Sequence, residues 1–226
     1  MIEASVEIIF EDNHLIAVNK PFGMPSQEDE TKDESVFDWV KAYIRDTYNK
    51  PGNVYAALLH RLDRPTGGIL LLAKTSKAAA RISKDFQQRS IRKTYYAITE
   101  SIPEIPAGTL KHYLKKLEDK NIMRAYIKPV HDAKDAELHY RVLKTVGERA
   151  LIEINPLTGR RHQIRVQLAS IGCTIVGDVK YGKTTFNSDK SIALLAGKLS
   201  LTHPVTKQPL DLQVPLPDND LWRDFH

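Results

Sequence analysis

Short apolar runs of strand length, separated by turn residues, constrain the fold of this chain more than any other feature of its sequence. The predicted strands cover residues 6–10, 14–19, 56–60, 69–73, 94–99, 110–117, 122–127, 136–143 and 150–154, with strand-like alternation again at 194–196, 199–201 and 210–214. Because strands outnumber helices and do not alternate with them as in βαβ units, the sequence predicts an α+β fold. We expect a central mixed, mostly antiparallel sheet flanked by helices and loops.

Three segments have helical periodicity. The first runs from an N-cap at Ser35 to about Tyr48, and the second follows a cap at Ser76. The third runs from about residue 161 to residue 170 and is closed by Gly172, since glycine readily adopts the left-handed conformation that ends a helix. A polar turn is predicted at residues 118–121.

Size and composition predict one folded domain. The chain has 226 residues, of which 42% are hydrophobic, enough for one sizeable core or two small ones. No stretch has the composition of a linker, so we expect a single catalytic domain over residues 1–226. This domain is either one lobe or pseudo-two-lobed, and the acidic residues 1–50 pack on it. No run of about eighteen apolar residues occurs, and we expect a soluble, cytoplasmic protein with no membrane partner.

Charge is unevenly distributed along the chain. Residues 1–50 hold 5 Lys+Arg and 11 Asp+Glu, a net charge of −6, whereas residues 51–226 carry a net +11. The densest basic stretch, residues 60–96, has nine Lys+Arg against two carboxylates. This asymmetry favours a polyanionic partner, with a solvated helix face as the simpler alternative.

Several catalytic motifs are absent from the sequence. It has no Walker A loop, no Gly-x-Gly-x-x-Gly and no His-Glu-x-x-His, and its eight histidines lack metal-ligand spacing. His131-Asp132 fits a solvated surface pair. Cys173, the only cysteine, excludes an intrachain disulfide and a thiolate zinc cluster, and its apolar neighbours predict a buried, inert thiol. We therefore expect no metal site, and nucleotide hydrolysis, dinucleotide redox chemistry and zinc proteolysis lose support.

The loop at residues 60–68, HRLDRPTGG, is the most informative segment. Its carboxylate, Asp63, stands between Arg61 and Arg64, whose positive charges favour the ionised form. Pro65 and two glycines tighten the loop between apolar strands. An aspartate held in this way can act as a nucleophile or a base, while the competing interpretation is a turn in which it only caps backbone amides.

Two further segments place basic residues beside aromatic rings or a helix start. Residues 92–98, RKTYYAI, form a strand whose adjacent tyrosines point to opposite faces. A ring next to cations suits stacking on a nucleobase, although such tyrosines also fit a sheet core.

Residues 155–167, NPLTGRRHQIRVQ, lead from a turn into a helix start rich in donors. This pattern fits either an anion site or a solvated basic face, with Arg161 and Arg165 four apart on one side.

In this order the three segments resemble the hallmarks of the RluA-type family of RNA pseudouridine synthases. Those hallmarks are an HRLD-x-x-T-small-Gly loop, a Lys-x-Tyr strand and a Thr-Gly-Arg-x-His-Gln-Ile-Arg helix start. Later landmarks of the family are matched by Gly177-Asp178, Tyr181-Gly182 and residues 201–204. The resemblance covers about residues 8–215 and implies the pseudouridine synthase fold, RNA as the partner, and no cofactor.

The resemblance also implies roles for individual residues. Asp63 matches the catalytic aspartate, Tyr95 the active-site tyrosine, and Arg165 the arginine that ion-pairs with that aspartate. The residues implied to bind RNA or substrate are His60, Arg61, Thr66, Lys93, Arg160, His162, Gln163 and Ile164. Two departures, Gly67 where many members have Ser and Gln167 where many have His, bear on substrate contacts rather than on the catalytic set.

The implied reaction isomerises a flipped-out uridine of tRNA or rRNA to pseudouridine. The C1′–N1 bond breaks, the uracil rotates, and a C1′–C5 bond forms. Asp63 must be ionised and Arg165 would hold it so, while Tyr95 would stack on the base or take the proton lost from C5. Attack of Asp63 on C6, attack on C1′ and elimination all stay open. The first strands leave no room for the S4-like domain of some relatives, and we expect a monomer without it.

Two other function classes compete with this hypothesis. A non-catalytic RNA-binding or chaperone protein could retain the fold, but binding alone does not require Asp63, Tyr95 and Arg165. A glycosidase or nucleoside hydrolase using Asp63 lacks a second carboxylate in a comparable motif to act as the acid.

Overall fold

The structure is a computed structural model that describes residues 6–117, 121–182 and 191–226. The chain divides into two compact units, unit 1 with residues 1–92 and 196–214, and unit 2 with residues 93–195 and 215–226. The expectation of one domain over the whole chain stays a prediction. Most of the polar turn predicted at residues 118–121 lies outside the described residues.

Unit 1 is built around strands that are buried on both faces. Its elements are β1 (Glu7–Glu11), β2 (Leu15–Lys20), α1 (Val36–Thr47), β3 (Ala57–Leu58), β4 (Gly67–Ala73), α2 (Ser76–Gln87), most of β10 (Leu194–Thr202), and β11 (Pro209–Gln213). The strand order is β1-β2-β4-β10, with β11 paired to β10 and β3 to β4. β2 and β4 are antiparallel, with Val18 opposite Leu70, and both of these side chains are fully buried.

The N-caps of the two helices of unit 1 can be compared with the N-caps predicted from the sequence. Ser35 is the N-cap of α1 as predicted, since its hydroxyl accepts a hydrogen bond from the amide of Asp38 at 3.2 Å. The predicted cap of α2 at Ser76 is wrong by one residue. Thr75 takes that role, because its extended backbone lets its Oγ1 accept from the amide of Ala78 at 3.3 Å.

Unit 2 is an antiparallel sheet covered by one helix. Its elements are β5 (Arg92–Thr99, all but its first residue in this unit), β6 (Ala107–Lys116), β7 (Met123–Tyr126), β8 (Lys134–Val146), β9 (Arg149–Pro156), α3 (Gln163–Ser170) and a short 3-10 helix (Arg223–Phe225). The strand order is β5-β9-β8-β6-β7. Val166 of α3 packs on Leu114 of β6 and Ala136 of β8, so α3 covers one face of the sheet.

The α+β class and the predominance of antiparallel pairing are confirmed. Cys173 is buried as predicted, and burial raises the pKa of its thiol. His131 and Asp132 form the predicted solvated pair, with side chains 90% and 72% exposed. Among the described residues, no helix combines the length and the apolar character needed to cross a membrane.

Candidate active site

The loop that carries Asp63 is fixed by hydrogen bonds from the segment after β2. Ser26 Oγ donates to the carbonyl oxygen of Leu62 at 2.8 Å and accepts from the Leu62 amide at 3.1 Å. The Gly23 amide donates to the carbonyl oxygen of Arg64 at 3.0 Å. The backbone is therefore held on both sides of Asp63, whose own side chain is half-buried.

A buried lysine lies beneath the same loop. Lys20 is 1% exposed, and its Nζ donates to the carbonyl oxygens of Pro21 at 2.9 Å, Met24 at 2.6 Å and Arg64 at 3.1 Å. Burial lowers the pKa of Lys20 to about 7, and the negative charge of Asp63 opposes that decrease. Sequence reasoning placed Lys20 just after the predicted strand 14–19 and missed its contact with the loop; the available signal was a lysine next to a strand rich in apolar residues.

The guanidinium of Arg64 binds the segment between β2 and α1. Its Nε donates to the carbonyl oxygen of Gly23 at 2.9 Å, and the rest of the group binds Thr31 at 2.8 Å, Asp29 at 3.4 Å and Asp33. The guanidinium ties the acidic segment after β2 to the loop. The expectation that Arg64 favours the ionised form of Asp63 stays a prediction.

The other site candidates of unit 1 have distinct environments. His60 Nε2 accepts a hydrogen bond from the Leu71 amide at 3.1 Å, and its ring lies 5.4 Å from that of Phe86, which anchors the start of the loop. Arg61 is exposed. Thr66 is 2% exposed, and its hydroxyl has no hydrogen-bond partner within the described part of the chain.

Two glycines follow the loop where neighbouring groups come very close. Gly68 has φ +108°, and a Cβ there would lie 2.4 Å from the carbonyl oxygen of Ala196. A Cβ on Gly67 would lie 2.6 Å from the ring of Phe22. The departure from the family's serine at Gly67 therefore has a packing cause, since the ring of Phe22 fills the space of a side chain.

In unit 2, Lys93 and Tyr95 lie on one face of β5. Tyr95 is opposite Ile154 of β9, and residues two apart on a strand share a face. The Nζ of Lys93 lies 3.8 Å from where a Cβ on Gly159 would be, an ordinary contact distance, so the ammonium group lies beside the turn that contains Gly159. Burial lowers the pKa of Lys93 below its usual value.

The turn before α3 is shaped by the side chain of Gln163. Its Oε1 accepts from Thr158 Oγ1 at 2.8 Å and from the Arg160 amide at 2.9 Å, while its Nε2 donates to the carbonyl oxygen of Glu137 at 3.1 Å. The guanidinium of Arg160 forms an ion pair with Asp135 at 2.8 Å. Gln163 thus positions the turn, and any contact of Arg160 with phosphate competes with Asp135.

α3 begins later than predicted, at Gln163, because His162 has a left-handed backbone with φ 51°. Arg161 therefore precedes the helix and is exposed, whereas Arg165 is 4% exposed. The expectation that these two arginines share one helix face is wrong, and Arg165 does not belong to a solvated basic face. The Nδ1 of His162 lies 2.8 Å from the hydroxyl of Tyr181.

Arg165 forms a buried, bidentate ion pair with Asp178. Its Nε lies 2.6 Å from Oδ2 and its Nη2 2.7 Å from Oδ1 of that carboxylate, and the two side chains are 4% and 1% exposed. The guanidinium carbon is 5.3 Å from the centroid of the Tyr181 ring. Sequence reasoning noted Asp178 and Tyr181 as landmarks and missed their contact with Arg165. The ion pair between Arg165 and Asp63 stays a prediction.

The two remaining candidates of α3 are buried. Ile164 is 7% exposed and Gln167 is 0% exposed. The Nε2 of Gln167 donates to the carbonyl oxygens of Leu110 at 3.0 Å and Ala136 at 3.3 Å. The departure at Gln167 thus places an amide inside unit 2, which bears on packing.

The predicted site residues are divided between the units. Unit 1 holds His60, Arg61, Asp63 and Thr66, and unit 2 holds Lys93, Tyr95, Arg160, His162, Gln163, Ile164 and Arg165. Within unit 1 a fixed loop presents a half-buried carboxylate. Within unit 2 a tyrosine and a half-buried lysine share a strand face, and a turn leads to a buried arginine. Their catalytic and RNA-binding roles stay predictions.

Comparison with known proteins places the chain among RNA-modifying enzymes. The tRNA pseudouridine synthase C of Vibrio cholerae is 34% identical to it, covering 96% of this chain and 93% of that protein. The ribosomal large subunit pseudouridine synthase C of Rickettsia prowazekii is 34% identical, covering 93% of this chain and 68% of that protein. The tRNA pseudouridine synthase C of Pectobacterium carotovorum is longer, and this chain spans 58% of its length at 34% identity.

A solved structure and a family model agree with these relatives. Human RNA pseudouridylate synthase domain containing 4 superimposes with a TM-score of 0.78 at 26% identity, covering 94% of this chain and 89% of that one. The pseudouridine synthase fold and the RluA-type resemblance expected from the motifs are thereby confirmed. The family model described as RNA pseudouridylate synthase matches residues 14–170, a range that includes Asp63, Tyr95 and Arg165. The chain belongs to the RNA pseudouridylate synthase family.

Proposed function

We propose that this protein isomerises specific uridines of tRNA or rRNA to pseudouridine, with Asp63 as the catalytic carboxylate. The observation that carries the proposal is the loop of Asp63, held on both sides by backbone hydrogen bonds and underlain by Lys20 in a chain of this family. A carboxylate on a fixed loop meets the geometric requirement for a nucleophile or base, because reaction demands a reproducible approach to one atom.

The isomerisation needs no second substrate, because the atoms of uridine are conserved. The C1′–N1 bond breaks, the detached uracil turns, C5 bonds to C1′, and the proton leaving C5 is balanced by one gained at N1. Asp63 starts the reaction by attack at C6, by attack at C1′, or by proton abstraction that leads to elimination. Tyr95 stacks on the base or accepts the C5 proton, and Arg165 orients the carboxylate of Asp63.

Two cationic side chains, one in each unit, suit the backbone of the RNA. Lys93 places a cation beside the turn at Gly159, and Arg61 of unit 1 is exposed on the loop of Asp63. Cations beside a reactive loop favour phosphate binding and make it dependent on salt. Relatives named for tRNA and for ribosomal large-subunit RNA are about equally similar, so both RNA classes are candidate substrates.

The test is to incubate the purified protein with unmodified tRNA and large-subunit rRNA transcripts and to map pseudouridine at nucleotide resolution. Wild type should form new pseudouridines, and Asp63→Asn should form none while binding the same RNA. Asp211→Asn, an exposed carboxylate of unit 1, is the matched control and should retain activity.

Two outcomes would support other function classes. If wild type and Asp63→Asn bind RNA equally and neither modifies it, the protein is a non-catalytic RNA-binding protein. If free uracil is released and no pseudouridine forms, the protein is a hydrolase. Either result overturns the proposed activity.

A further inference from the structure

The sheet of unit 2 has a second face that α3 does not cover. On β6 and β7, Leu114 lies opposite Ala125, and both belong to the apolar cluster under α3. Because side chains alternate along a strand, the neighbouring pairs point away from that cluster. We call the outward side chains of this hairpin the hairpin face; they are Lys111, Tyr113, Lys115, Arg124 and Tyr126.

The hairpin face combines two aromatic rings with three cations. Tyr113 lies directly opposite Tyr126, and both are partly exposed. Lys115 lies opposite Arg124, whose guanidinium carbon is 5.8 Å from the centroid of the Tyr126 ring. Lys111, on the same side of β6, is exposed and 3.2 Å from a carboxylate oxygen of Glu137.

The pairing of Lys115 with Arg124 is unfavourable for the isolated sheet. Like charges directly opposite on antiparallel strands are destabilising. Within the described ranges, neither side chain has an ion pair with a carboxylate that would relieve the repulsion. Stability alone therefore does not explain the pair, whereas an anionic partner would.

We propose that the hairpin face binds an unpaired stretch of the RNA substrate, with bases stacked on Tyr113 and Tyr126 and phosphates beside Lys115 and Arg124. The inference rests on the proposed function, because it takes RNA as the partner. Stacking on adjacent rings beside cations is how single-stranded nucleic acid is bound without strict sequence preference. An acidic protein segment would satisfy the cations and leave the paired rings without a role.

The hairpin face is separate from the reacting base. Tyr95 lies on the other side of the sheet, the side covered by α3. Directly paired residues point to the same side, and the pairs run from Tyr95 through Ile154 and Tyr140 to Gly108 of β6. Gly108 and Leu114 are on the same side of β6, since they are an even number of residues apart. β7 is the edge strand, so RNA can pass around this edge. The hairpin face should therefore contribute to affinity and not to the chemical step.

The first experiment measures binding of a 15-nucleotide single-stranded RNA and of the same strand annealed to its complement. Tyr113→Ala/Tyr126→Ala should weaken binding of the single strand about tenfold or more, the loss expected for one stacked base, with little effect on the duplex. Tyr113→Phe/Tyr126→Phe retains the rings and should bind as wild type does. Tyr55→Ala/Lys198→Ala removes an exposed tyrosine and an exposed lysine of unit 1 and is the matched control.

The second experiment uses the RNA that wild type modifies. The double alanine variant should raise KM and leave kcat unchanged, and 4-thiouridine placed outside the target nucleotide should crosslink within residues 107–126. The inference would be overturned if the double alanine variant lost affinity equally for the single strand and the duplex, or lost affinity for polyglutamate as much as for the single strand. An unchanged KM for the modified RNA would overturn it as well. These outcomes leave pseudouridine formation by wild type intact, whereas failure of the proposed function removes that activity itself.

Discussion

Gly67 shows how one missing side chain sets the packing next to the loop that carries Asp63. The ring of Phe22 lies where a Cβ would stand, with three ring carbons 2.6 to 2.9 Å from that position. Phe22 is half-buried, and its rigid ring cannot bend away as the flexible end of a lysine side chain can. The sequence showed only a departure from the family pattern, because no spacing rule links Phe22 to a glycine forty-five residues later.

Gly67→Ser should therefore destabilise the protein by about 1–3 kcal/mol through overpacking. Urea unfolding of a double-mutant cycle measures the effect, with Phe22→Ala alone and combined with Gly67→Ser. The cost of the serine should largely disappear when the ring is absent. An equal cost in both backgrounds would show that the backbone at Gly67, and not Phe22, requires glycine.

Lys20 should make the free energy of unfolding depend on pH. Its pKa of about 7 in the folded chain is below the usual 10.5, so the unfolded chain binds more protons between these values. The free energy of unfolding should then rise with pH from about 7 toward 10, by at most about 1.4 kcal/mol per pH unit from this group, and the gain should be lost as pH falls through 7.

The measurement is urea unfolding at several pH values between 7 and 9.5, together with NMR titration of the Lys20 ε-methylene group. Lys20→Met should flatten the profile, and Lys198→Met, at an exposed lysine of the same unit, should leave it unchanged. A Lys20 resonance that titrates near 10.5 would contradict the argument.

At the scale of elements, the sequence predicted strands better than helix starts. Short apolar runs located β5 and β9, and the period-two recurrence of apolar residues from Ala136 to Val142 located β8. The start of α3 was misplaced, since a histidine in a left-handed conformation carries no pattern in the sequence. β3 shrank to two residues from a predicted five, because most of that apolar run lacks a strand partner in the described chain.

The partner of Arg165 could not be read from the sequence either, because Asp178 lies thirteen residues away beyond the end of the helix. Because the Arg165–Asp178 ion pair is buried, removing one of its charges should have a large effect on the free energy of unfolding. Asp178→Asn should destabilise the fold by about 3–5 kcal/mol, since a buried guanidinium then loses its carboxylate. Thermal unfolding checks this.

Glu153→Gln is the matched control for that variant. It breaks the exposed pair with Arg141, 3.0 Å long, and should cost less than about 1 kcal/mol. If Asp178→Asn costs no more than this control, the buried pair does not stabilise α3. Arg165→Lys, which keeps the charge and loses the bidentate geometry, should reduce turnover more than it reduces RNA affinity.

At the scale of the whole molecule, the charge asymmetry of the sequence has a structural counterpart. The acidic segment after β2 is exposed, yet Asp29 and Asp33 bind Arg64, the residue that follows Asp63 in the chain. Composition located the negative charge and the positive charge, but not this contact between them, which joins residues more than thirty apart. The segment therefore adds negative charge beside the loop that, under the proposed function, binds RNA.

Asp29→Asn/Asp33→Asn should accordingly tighten RNA binding by about two- to fourfold at low ionic strength and have almost no effect near 1 M salt, where screening is complete within a few ångströms. The free energy of unfolding should change little, because these carboxylates are 38% and 55% exposed. Filter binding across a salt series measures the effect. Asp218→Asn/Asp220→Asn removes two exposed carboxylates far along the chain. If that control tightens binding equally, net charge alone accounts for the change, and the position of the acidic segment beside Arg64 has no influence on RNA.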